Sequence, residues 1–102
     1  ASVIMLLLEL MATLPARGRM RIDGALADAR VRRAPGSAQA PVLALRALGA
    51  DGTVDWLVNG RLVGHSRGGE PLRWRFEQPG EQAIVALDRE GRYDRVVLHV
   101  LP

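Results

Sequence analysis

Residues 53–76 read TVDWLVNGRLVGHSRGGEPLRWRF, and their reading decides the fold. The stretch holds both tryptophans, the one phenylalanine and one of the two histidines. Val54, Trp56 and Val58 alternate with Asp55 and Leu57, the period of a strand with one buried face. Asn59-Gly60 then separates two apolar runs. Both central residues of a type I′ turn need positive φ, and Asn and Gly tolerate it best, so the pair predicts a tight β-hairpin. After the loop RGGEP, the segment 72–76 alternates strictly, with Leu72, Trp74 and Phe76 on one face and Arg73 and Arg75 on the other.

Outward from this stretch the same texture continues. Candidate strands cover 19–22, 29–33, 42–48, 53–59, 61–66, 72–76, 83–88 and 93–101. Turn signals lie between them: Asp23-Gly24, the Pro/Gly/Ser-rich loop 34–41, GADG at 49–52, QPGEQ at 78–82 and REGR at 89–92. Strands recurring at this spacing, with no helical periodicity from residue 19 onward, predict an all-β, immunoglobulin-like or fibronectin-III-like sandwich of seven or eight short antiparallel strands over 19–102. Trp56 is expected in the core between the sheets. Trp74 is expected either in the core or as an exposed aromatic platform, with Arg73, Arg75 and Arg61 supplying charge.

Residues 1–14, ASVIMLLLELMATL, are almost wholly apolar, with Val3, Leu7, Leu10 and Leu14 on one helical stripe and Pro15 ending the run. The run is too short to span a bilayer. It lacks the basic start and clean cleavage site of a signal peptide. Residues 1–18 are therefore expected to be a separate N-terminal segment: a short helix, a remnant of a preceding region or a secretory remnant. Dimerisation through 1–14 is a further option.

At 102 residues the chain is long enough for one domain, which would bury roughly two-thirds of its unfolded surface. There is no cysteine, which removes disulfides, thiol catalysis and thiolate metal sites. All 14 basic residues are Arg and the net charge is +3. The basic run from Arg17 to Arg33 contains no aromatic, and the aromatic half is slightly acidic, an arrangement unlike a nucleic-acid face.

The chemistry-bearing residues do not assemble into a catalytic motif. With no Lys, Ser-x-x-Lys chemistry is closed. His65 and Ser66 are neighbours on a strand and point to opposite faces. Gly64 and Gly69 have phosphate-loop spacing, but Glu70 follows where that motif needs Lys. Asp51, Glu70, Glu81, Asp88 and Glu90 lie in or beside turns, where solvated acids are ordinary. His65 and His99 without cysteine make a weak metal set. No catalytic residue, metal or cofactor is expected.

In this setting Trp56, Asn59-Gly60, Pro71 before Trp74, Pro79-Gly80, a strand ending in Asp88, Gly91-Arg92 and the Val96/Leu98/Val100 strand occur in order and at tight spacing. The combination resembles the non-catalytic C-terminal domain of bifunctional penicillin-binding proteins of the one-C type, over residues 19–102. In that likeness Trp56, Asn59, Gly60, Pro79, Gly80, Asp88 and Gly91 are structural residues. Gln82 departs from it, standing where related sandwiches often carry Tyr or His, which argues against a tyrosine corner at that turn. The resemblance implies a periplasmic position in a Gram-negative cell envelope, behind glycosyltransferase and transpeptidase domains. The implied role is positioning on peptidoglycan or docking a periplasmic protein such as a macroglobulin-like one. A free-standing secreted carbohydrate- or protein-binding module is the alternative.

Overall fold

The computed structural model describes residues 20–33 and 35–102. The N-terminal segment 1–18 lies outside the described residues. Eight strands follow in chain order: β1 (Arg21–Asp23), β2 (Arg30–Val31), β3 (Val42–Leu48), β4 (Thr53–Val58), β5 (Arg61–Arg67), β6 (Leu72–Arg75), β7 (Gly80–Asp88) and β8 (Tyr93–Val100). They form a three-stranded sheet, β1-β3-β6, and a five-stranded sheet, β2-β8-β7-β4-β5. The described residues contain no helix.

Alternation builds the core. Leu45 and Ala47 of the small sheet face Val54, Trp56, Ile84 and Leu98 of the large one, all fully buried. Trp56, the largest of them, spans this interior, and its indole N–H donates to Ser66 Oγ at 2.8 Å. A buried indole would otherwise strand its donor.

The tight corners are held by side chains as well as by backbone shape. Asn59 (φ 51°) and Gly60 (φ 82°) take the two positive-φ positions of the β4–β5 hairpin. The Asn59 carboxamide also accepts from the Ala83 N–H and donates to Gln82 Oε1, both at 2.8 Å. Gln82, buried, passes the connection on by donating to the Gln78 carbonyl at 3.0 Å. The residue that departs from the family pattern thus ties the hairpin to the loop before β7.

At the β7–β8 turn, Asp88 Oδ1 accepts the Glu90 and Arg92 N–H groups at 2.9 and 2.8 Å, and Oδ2 accepts Arg92 Nε at 2.6 Å. Burial alone would push this carboxyl up. The hydrogen bonds from Arg92 and Glu90, with the Arg92 charge, outweigh burial and hold it below the ordinary carboxylate value. Gly91 sits in the turn at φ 87°.

Three features differ from the sequence expectation. The sheet is not purely antiparallel, because β2 runs parallel to β8, with Arg30 opposite His99 and Val31 opposite Val100. β7 begins at Gly80 rather than at 83, so the residues after Pro79 already pair with β8. Trp74 is half-buried against the core, between the two placements considered for it.

Candidate binding groove

β5 and β6 are consecutive in the chain but end up as edges of opposite sheets. Where they leave their connecting loop they touch. Gly64 lies opposite Trp56 in the β4–β5 register, and a Cβ there would stand 3.0 Å from Leu72 Cδ1. Glycine at 64 lets Leu72 close the gap between the sheets. A register irregularity between Trp56 and Leu57 adds Val63 to β5, the kind of bulge that bends an edge strand. Away from Gly64 the two strands part.

The opening is a groove of about 650 Å³. Trp74 and Phe76 line it from the small-sheet side, Arg61, Leu62 and Val63 from β5, with Arg75, Glu77 and Gln82 at its polar margin. The structure therefore brings together three residues singled out from sequence, Arg61, Trp74 and Arg75. It leaves Arg73 outside. Arg73 is exposed opposite Ala44, two residues further from the open end of β6 than Arg75. Arg75 reaches the Ala40 carbonyl at 3.3 Å, a long contact. Among the described residues, Arg61 and Glu77 make no ion pair and the Trp74 indole N–H has no acceptor. Leu62 and Glu77 were not singled out in the sequence. Leu62 owes its place to the bulge, which leaves no local pattern, and Glu77 to its position between β6 and the turn at 78–82.

The predicted structural residues occupy corners or core. Trp56 fills the interior, Asn59-Gly60 makes the hairpin, Pro79 precedes Gly80 at the start of β7, and Asp88 and Gly91 frame the next turn. His65 stands on the face opposite Ser66, with Nδ1 2.7 Å from Asp55 Oδ1, and Arg89 approaches the same oxygen at 3.3 Å. Among the described residues no group of three or more His, Asp or Glu could hold a metal ion. No described helix is long and apolar enough to cross a membrane.

The chain is a two-sheet sandwich with a groove where one pair of sheet edges parts. It is similar to the fibronectin(III)-like modules of Clostridium thermocellum CbhA, with a TM-score of 0.52 and 21% identity over 79% of this chain and 97% of that one. That likeness bears on fold alone. No curated protein matches the chain. The model of the Penicillin-Binding Protein C-terminus Family matches residues 11–98, and the chain belongs to that family. The match begins eight residues before the boundary expected at 19, within the N-terminal segment. Family and fold together fit a non-catalytic accessory domain of a bacterial cell-envelope protein.

Proposed function

We propose that this domain is the accessory module of a periplasmic peptidoglycan synthase in a Gram-negative cell, holding the enzyme on the wall through the groove between β5 and β6. The observation that carries the reading is the convergence of Trp74, Arg61 and Arg75 on one opening, in a chain whose family is that of penicillin-binding protein C-termini. An indole offers an apolar face for a sugar ring or aliphatic stem, and guanidinium groups pair with carboxylates in a two-pronged fashion. Peptidoglycan presents both chemistries.

Co-sedimentation with purified, protein-free sacculi tests it. The wild-type domain should pellet with the wall. Arg61→Ala/Arg75→Ala should lower the bound fraction several-fold with an unchanged thermal midpoint, whereas Arg73→Ala should bind like wild type. Absence of wild-type binding would overturn the wall reading and turn attention to a docked periplasmic protein, for instance a macroglobulin-like one. Equal binding by the double variant would move the site away from the groove.

A further inference from the structure

A second opening lies beside the groove, under the loop between β2 and β3. Its volume is about 360 Å³, and Arg33, Ala38, Gln39, Ala40, Arg75 and Glu77 line it. Arg75 and Glu77 line the groove as well, so the two openings share a wall. The loop is shaped by its own contacts and in turn holds both arginines. Ser37 Oγ accepts the Gln39 N–H at 3.1 Å. The Ala38 carbonyl accepts Arg33 Nη1 at 3.0 Å, and the Ala40 carbonyl accepts Arg75 Nη1 at 3.3 Å. The Pro41 carbonyl accepts the Phe76 N–H at 2.9 Å, which pins the end of the loop to the end of β6.

A guanidinium has five N–H donors. One contact to a neutral carbonyl leaves most of those on Arg33 and Arg75 for something else. Among the described residues neither arginine makes an ion pair, and neither does Glu77. Two guanidinium forks at one opening suit a carboxylate, which each can grip through parallel N–H bonds. Glu77 sets the opposite charge at the shared wall. It repels a ligand that is only anionic and attracts one that carries an ammonium beside its carboxylate. A single exposed ion pair is worth little, so affinity has to come from a ligand that meets the three charges and the Trp74 face together.

Taking the groove as the surface that binds the wall, we propose that this opening is its second compartment and receives the charged end of a wall peptide. The peptide carboxylate lies between Arg33 and Arg75, its ammonium faces Glu77, and the adjoining stem or sugar rests on Trp74. N-acetylated sugars offer no ammonium, whereas wall peptides carry carboxylates and, where a diamino residue is left unlinked, an ammonium. Recognition then falls on the peptide rather than the glycan, and Arg33 and Glu77 join the site.

Co-sedimentation of the chain with purified sacculi, before and after acetylation of their free amines, tests this. Wild type should bind the untreated wall roughly three- to ten-fold more tightly than the acetylated one. Acetylation makes the wall more negative, so bulk attraction for a chain of net charge +3 would shift binding the other way. Glu77→Gln should bind the untreated wall only as well as wild type binds the acetylated one, with no further loss on acetylation. Arg33→Ala should weaken binding to the untreated wall several-fold at an unchanged thermal midpoint. If losing Arg33 loosens the loop and lowers the midpoint, the Glu77→Gln comparison still decides. Wild-type binding that survives acetylation, an acetylation effect that persists in Glu77→Gln, or equal binding to glycan strands freed of peptide would each overturn the peptide-end assignment while leaving wall binding in place. No wild-type binding to untreated sacculi would overturn both.

Discussion

Along the β1–β8 side of the sandwich the sheets are tied together: Asp94 reaches from β8 to the backbone of Ile22, and β2 adds a parallel strand to the edge. Along the β5–β6 side they meet at Gly64 and Leu72 and then part around Trp74. The first side uses a carboxylate to satisfy a backbone donor across the gap. The second leaves a half-buried indole and a guanidinium, Arg61, that makes no ion pair among the described residues. One side closes the gap between the sheets, and the groove proposed to bind lies on the other.

Trp56 stands between the two sides and should give the largest effect. Truncating such a residue costs about 3–5 kcal/mol, against a total of about 5–15 kcal/mol for a domain. Trp56→Ala should therefore lower the thermal midpoint by about 12 °C or more, and both sides should still melt together by circular dichroism and amide exchange. Independent melting of the β5–β6 side would show that the contrast is one of two folding units instead.

Asp88 comes next. Asp88→Ala strands two N–H groups of the turn and Arg92 Nε, at a cost of about 1–3 kcal/mol. Its folded carboxyl sits below the ordinary 3.8 expected unfolded, so its stabilisation is complete above that value and fades as pH falls through the lower folded one. Wild-type stability from denaturant titrations should thus decline below about pH 4, and Asp88→Asn should flatten that part of the profile. An unaltered profile would remove Asp88 from the account.

Asp94→Ala should loosen the tied side selectively, accelerating exchange of the Ile22 amide with a loss of about 1 kcal/mol. Asp94→Asn keeps an acceptor and should recover most of it. Gly64→Ala acts on the other side. The added methyl meets the end of a flexible Leu72 side chain, so the cost should be within about 1 kcal/mol, while the fluorescence of Trp74 shifts as the strands are wedged apart. The smallest stability effect belongs to Arg61→Ala and Arg75→Ala, within about 0.5 kcal/mol each, even though together they should lower the proposed wall binding several-fold.

How far the sequence could be read follows from the range of each interaction. The Asn59-Gly60 hairpin and the inward Trp56 were legible because φ preference and period two are local. The two residues of β2 carry no period, so neither their pairing nor its parallel sense could be seen. Gly80–Gln82 read as a turn because Pro79-Gly80 is turn chemistry, yet pairing with β8 draws them into β7. Arg61, Trp74 and Arg75 were recognisable as candidates. Arg73 and Arg75 share a face of β6, so period two could not tell that only Arg75, at the end of the strand, reaches the groove; the groove itself depends on Gly64 meeting Leu72. Ser66, Gln82 and Asp94 went unnoticed as hydrogen-bond partners because each acts on a residue at least ten positions away, in register rather than in sequence.

The parallel β2–β8 edge also bears on tension. Asp28 N–H to the Val97 carbonyl, His99 N–H to that of Ala29 and Leu101 N–H to that of Val31 form a short ladder, each bond at 2.8 Å. Pulling the entering chain and the departing chain in opposite directions would slide these two strands lengthwise past each other. The three bonds would then share the load, whereas an antiparallel hairpin peeled from its open end gives way one rung at a time.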